Sequence, residues 1–162
     1  MSNFEERRRE YLERCEAIIR EVGWMVQGVF PAKGDTSPSF AYTVGLHDQG
    51  LSELLTFSLP PDVAQMLLND VGRFLVMSKS LGLPIGGRVE HENWPTPFYL
   101  LPARKTEAAQ YCTFAMRRSL DAAQVLQVVW PDRTGKFPWE EGALASAKPF
   151  QPELYEPPTK GH

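Results

Sequence analysis

Residues 39–60, SFAYTVGLHDQGLSELLTFSLP, decide how this chain is read. From Ser39 to Leu46 the side chains alternate. Phe40, Tyr42, Val44 and Leu46 share one face, and Ala41, Thr43 and Gly45 share the other. That period of two is the mark of a β-strand. Leu54 to Leu59 reads as a second strand, and the short connection HDQGLSE between them carries His47, Asp48 and Glu53. Short connections favour antiparallel neighbours, so the stretch predicts adjacent strands with polar side chains gathered at one strand end.

Working outward, Trp24 to Phe30 reads as a strand joined to this pair by the turn-rich loop PAKGDTSP. Before it, residues 3–22 read as an amphipathic helix capped by Asn3 and stopped by Gly23. Its apolar stripe is Tyr11, Leu12, Cys15, Ile18, Ile19 and Val22. Glu5–Arg9, Glu10–Arg14 and Glu16–Arg20 are acid-before-base pairs one helical turn apart. After the stretch, Pro60-Pro61-Asp62 opens a helix of about 20 residues ending near Gly82. Its apolar positions, Val63, Met66, Leu67, Val71, Phe74 and Leu75, are spread widely enough to suggest a central, largely buried helix. Residues 86–92 and 97–103 suggest a hairpin around NWPT. Thr106 is placed as the cap of a third helix running to about Leu120, with Cys112, Ala115 and Met116 inside. Residues 124–130 form the last strand.

The expected fold is therefore α+β: a mostly antiparallel sheet of about six strands with about three helices packed on one face. Residues 1–148 are taken as one globular domain and residues 149–162 as an irregular tail ending in the free segment EPPTKGH.

Charge and composition narrow the function. The chain has 162 residues and a net charge of -3, which argues against nucleic acid, whose phosphates demand a basic face. No apolar run approaches the roughly 20 residues that cross a bilayer. The N-terminus lacks the apolar core of a signal peptide. Cys15 and Cys112 fall in helical patterns and suggest no disulfide framework, so a reducing cytoplasm is expected.

One stretch invites a catalytic reading. WPDRTGKFPWEEG, residues 130–142, begins with the tripeptide of the tyrosine-phosphatase acid loop, and Cys112 and Arg118 stand in C-x5-R spacing. That chemistry needs a thiolate nucleophile, an arginine fork for phosphate and an aspartic general acid. Three features oppose it. The segment TFAMR has no glycine for a tight phosphate nest. The order of cysteine and WPD is reversed. Cys112 sits at core spacing. Instead Asp132-Arg133-Thr134-Gly135 fits a type I turn with aspartate first and glycine fourth, the aspartate bonding the backbone two residues on. Phe137-Pro138-Trp139 would then fold back over the sheet as an aromatic clasp. The pairs Trp94-Pro95, Trp130-Pro131 and Phe137-Pro138 each end a ladder. His47 and His91, with acidic neighbours, lack metal-ligand spacing, so neither a metal nor a cofactor is expected.

FAYTVGL (40–46), ELLTFSLP (53–60), LLNDVGRFL (67–75), QVVWPDRTGKFPWEEG (127–142) and FQPEL (150–154), with GW at 23–24, together resemble a bacterial family, domain of unknown function 4262. The likeness spans roughly residues 18–155. It implies no established activity. It singles out Tyr42, Thr43, Gly45, Glu53, Trp130, Asp132, Gly135, Pro138 and Trp139 as signature positions. The family usually carries His-Pro-Glu-Leu before the third strand. Here that segment is Leu51-Ser52-Glu53-Leu54, which keeps the glutamate and leaves His47 as the nearby histidine.

Two functional expectations follow, and whether the chain is an enzyme is left open. The favoured one is a non-catalytic interaction or regulatory module, with a protein partner or a second copy of the chain. The alternative is a small-ligand site or weak enzyme with Tyr42, Thr43, His47 and Glu53 at the strand ends facing Asp132, Arg133 and Trp139. There Glu53 or Asp132 would act as acid or base and Arg133 would anchor an anion.

Overall fold

The computed structural model of the chain describes residues 2–79, 86–90, 94–144 and 151–158. It opens with helix α1 (Asn3–Val22). The cap is Ser2 rather than Asn3: Ser2 is extended, and its hydroxyl accepts the Glu5 N–H at 3.2 Å. Gly23 ends the helix as expected. It adopts φ +107°, which suits glycine, and its N–H donates to Ile19 O at 2.8 Å.

One six-stranded sheet follows. In chain order the strands are β1 (Met25–Val29), β2 (Phe40–Val44), β3 (Glu53–Phe57), β4 (Arg88–Val89), β5 (Phe98–Pro102) and β6 (Val125–Val129). They lie side by side as β1-β2-β3-β6-β5-β4. Each pair is antiparallel except the central β3–β6 pair, which is parallel. The expected α+β class with a mostly antiparallel sheet is therefore observed.

The helices do not share one face, and this corrects the expectation. Every residue of β3 and β6 is buried, so both faces of the sheet's centre need cover. Helix α2 (Pro61–Met77) covers one face, packing with Trp24, Leu54, Leu126 and Val128. On the other face α1 joins α3 (Lys105–Tyr111) and α4 (Thr113–Arg118), over Tyr42, Val44, Leu55, Phe57 and Val125.

Helix α2 is buried along one side only, not largely buried as expected. Its buried residues are Ala64, Leu67, Leu68, Val71, Gly72 and Leu75, while Met66 is exposed. The Trp24 indole explains the seat: a Cβ on Gly72 would stand 3.1 Å from that ring. The helix ends at Met77, with Ser78 N donating to Phe74 O at 2.9 Å, short of the expected end near Gly82; Gly82 itself, His91 and Asn93 lie outside the described residues.

The third expected helix is two. Cys112, at φ -87° and ψ 51°, breaks it into α3 and α4, and Arg104 rather than Thr106 stands at the start of α3. The break frees the Phe114 N–H, which donates to the Tyr42 hydroxyl at 3.2 Å. Cys112, Ala115 and Met116 are buried as expected.

Within the segment read as a tail, residues 151–155 pack against the domain. Gln151, Leu154 and Tyr155 are buried. The Gln151 amide both accepts from Trp130 N (3.1 Å) and donates to Trp130 O (2.8 Å). The Gln127 amide donates to Pro152 O at 2.8 Å, and Tyr155 bridges to Ala103. Side-chain amides thus dock residues 151 and 152 without a strand, because buried backbone groups need partners.

Candidate functional site

The chemistry gathered at the start of β3 is a buried lock. The connection from β2 turns through Gly45 into a single 3-10 turn, Leu46–Gln49. That turn aims successive N–H groups at the Glu53 carboxylate, a concave arrangement suited to an anion. Oε2 accepts Gly45 N at 2.9 Å and His47 N at 3.3 Å. Oε1 accepts the Thr43 hydroxyl at 2.8 Å and Leu46 N at 3.1 Å. The Thr43 hydroxyl in turn accepts Leu54 N at 2.8 Å. Glu53 is 2% exposed. Burial pushes its carboxyl above the ordinary range, and these donors hold that rise back.

Gly45 is required by the same lock. Its φ is +118°, and a Cβ there would stand 3.0 Å from Gly23 O, Ile19 Cγ2 and Trp24 Cα. The turn is bolted to the end of α1 by the Gln49 amide, which donates to Gly23 O at 3.1 Å.

The WPD segment is a second internal lock. Gly135 N donates to Asp132 O at 2.9 Å, closing the expected turn. The Asp132 carboxylate accepts Thr134 N (2.8 Å), the Thr134 hydroxyl (2.5 Å), Lys136 N (3.1 Å) and Leu144 N (2.8 Å). The Leu144 N–H above all, and then the Thr134 hydroxyl, hold this carboxyl well below the usual range. A general acid needs a proton to give near neutral pH; Asp132 is held ionised. Cys112 fails the other half of the phosphatase reading: it is fully buried, and that burial, with the Glu53 charge nearby, raises its thiol.

The aromatic clasp is present. Trp139 stacks on Phe137 at 5.4 Å and meets Tyr99 at 4.9 Å and Tyr155 at 5.6 Å edge-on. Trp130 Nε1 donates to Phe57 O at 2.9 Å, pinning this region to the far end of β3.

The candidate residues are therefore divided between two ends of the sheet. Thr43, His47 and Glu53 lie where β3 begins. Asp132 and Trp139 follow β6, which runs parallel to β3 and ends beside Phe57. Five strand residues, roughly 16 Å, intervene. Tyr42 faces α4, and Arg133 is an exposed residue of the turn. Among the described residues no group of three or more His, Cys, Asp and Glu is placed to hold a metal ion. No helix among them is long and apolar enough to cross a membrane.

A different concavity lies between α1, β1 and α4. It encloses about 600 Å3 and takes Arg8, Tyr11 and Leu12 from α1, Val29 from β1, and Phe114 and Arg117 from α4. Tyr42 reaches its floor. The Tyr11 hydroxyl donates to Gln27 Oε1 across one side. At one corner Arg118 binds Glu16 through two contacts (2.8 and 3.1 Å) and Asp48 at 2.7 Å, tying α4 to α1 and the 3-10 turn. The sequence reading missed these residues because they come from distant segments; the C-x5-R pattern marked Arg118 for the wrong reason.

Sheet, locks and clasp define an α+β domain whose distinctive carboxylates hold its own loops. The chain belongs to the family described as domain of unknown function (DUF4262), whose model matches residues 18–144. No curated protein and no solved structure matches it.

Proposed function

We propose that this chain is a non-catalytic interaction module that pairs with a second copy of itself through α1. The observation that carries the reading is a stripe on that helix. Phe4, Tyr11 and Ile18 repeat every seven residues, Val22 extends the same face, and all are exposed, Phe4 at 76%. Every residue from Ser2 to Arg14 is exposed. A seven-residue apolar repeat on an uncovered helix suits pairing with another helix. An antiparallel two-fold pair would set Glu5 and Glu6 of one copy near Arg20 of the other, which is self-complementary in charge. Val29 and Phe30 at the neighbouring sheet edge add exposed apolar surface.

The saturated carboxylates of Glu53 and Asp132 support the non-catalytic part of the reading. A net charge of -3 favours a protein or small-molecule partner over nucleic acid. Two free, buried cysteines suit a reducing compartment such as a bacterial cytoplasm. Sedimentation velocity from micromolar to millimolar protein tests the pairing. A concentration-dependent dimer that Ile18→Asp converts to monomer is expected. A strict monomer over the whole range sinks self-association.

A further inference from the structure

We propose that the cleft beneath the first half of α1 binds a small amphiphilic organic anion. The inference takes from the reading above only that α1 is the working face. It starts from a second stripe on the helix. Arg8, Leu12, Cys15 and Ile19 follow one another at the spacing of a single helical face. Cys15 and Ile19 are buried against the sheet, whereas Arg8 and Leu12 stand over open space. The α1–sheet interface thus continues outward as an open cleft.

The lining has the character of a ligand site. Leu12, Val29 and the Phe114 ring form apolar walls, and at the base the Tyr42 hydroxyl and the Gln27 amide are already held by Phe114 N, the Tyr11 hydroxyl and Gly28 O. At about 600 Å3 the space falls within the range of small-molecule pockets. Its charge is one-sided. Arg118 is neutralised by Glu16 and Asp48. Arg8 and Arg117, both at the cleft, form no ion pair among the described residues. Two uncompensated guanidinium groups, in a chain whose net charge is -3, call for an anion. Apolar walls beside two free guanidinium groups suit a short apolar body carrying a carboxylate or a similar group.

The test uses the full chain, with 8-anilinonaphthalene-1-sulfonate as a fluorescent probe and octanoate and octan-1-ol as competitors. One saturable probe site per chain is expected, and octanoate should displace the probe about tenfold better than octan-1-ol does. Arg8→Gln combined with Arg117→Gln should weaken octanoate by about tenfold or more. The melting temperature should not change, since both side chains are exposed. Absence of a saturable site, equal displacement by the alcohol, or wild-type octanoate affinity in the double variant would overturn the proposal. The same variants keep Phe4, Tyr11 and Ile18, so their sedimentation separates the two readings. Loss of octanoate binding alone bears on the cleft, and failure to dimerise bears on the α1 stripe.

Discussion

The Thr43 hydroxyl donates to the Glu53 carboxylate at 2.8 Å while accepting the Leu54 N–H at the same distance. One side chain thereby links β2 to β3 and orients the buried anion that organises the turn between them. Glu53→Ala would leave the N–H groups of Gly45, Leu46 and His47 without this partner. An expected loss of about 3 kcal/mol follows, since each buried donor left unpaired costs about 1–3 kcal/mol. Thr43→Val should cost less, about 1–2 kcal/mol. Chemical denaturation read by circular dichroism checks both, and an unchanged midpoint in Glu53→Ala would refute the lock.

Gly45→Ala should destabilise the fold by more than about 2 kcal/mol, because it combines a left-handed φ with a clash against backbone. Gly135→Ala is the control: its φ is +85°, but nothing lies within 4 Å of an added Cβ. It should cost only the strain of the turn. Comparable losses in the two variants would contradict the crowding assigned to Gly45.

Asp132 predicts a pH dependence. Its folded carboxyl is held below its unfolded value. It therefore contributes stability that is fully present above the unfolded carboxylate value of about 4, and that is lost as pH falls from there toward the lower folded value. Asp132→Asn should lower the urea midpoint at pH 7, and the gap to wild type should close in acid. A gap independent of pH would show that the carboxylate charge is not what these donors hold.

Both thiols should be silent in the native protein. Cys15 and Cys112 are buried at 2% and 0% exposure. Titration with Ellman's reagent should find no reactive thiol in buffer and both after unfolding in guanidinium. Rapid native reaction at Cys112 would restore the nucleophile reading.

Removing residues 151–162 should be costly although residues 151–158 carry no helix or strand. Leu154 and Tyr155 would lose their burial, roughly 4 kcal/mol together, and Trp130 would lose both amide contacts. Gln151→Ala alone should cost about 1–3 kcal/mol. Thermal melts and limited proteolysis read the effect. A truncated chain as stable as the full one would return the segment to the status of a tail.

Much of this was legible in the chain. The alternation of Phe40 to Val44 marked β2, Gly23 marked the end of α1, and Asp132 with Gly135 marked the turn, down to the bond that Thr134 N donates to the aspartate. These are local properties, set by neighbours a few residues apart. Some errors were also readable. In β6 the two alternating sets, Leu126 and Val128 against Val125 and Val129, are both apolar, a signature of burial on both faces.

What the sequence determined by itself was most of the elements, some of their ends and the turn chemistry, because dihedral preference and side-chain period act within one turn or one strand. Only the tertiary structure decided the parallel pairing of β3 with β6, the seat of α2 on Trp24 and the placing of helices on both faces. It alone gave Glu53 its donors from the turn before it, sent Glu53 and Asp132 to opposite sheet ends, and left the cleft under α1 open. Those outcomes depend on contacts between segments far apart in the chain, where burial and the pairing of buried polar groups outweigh local preference.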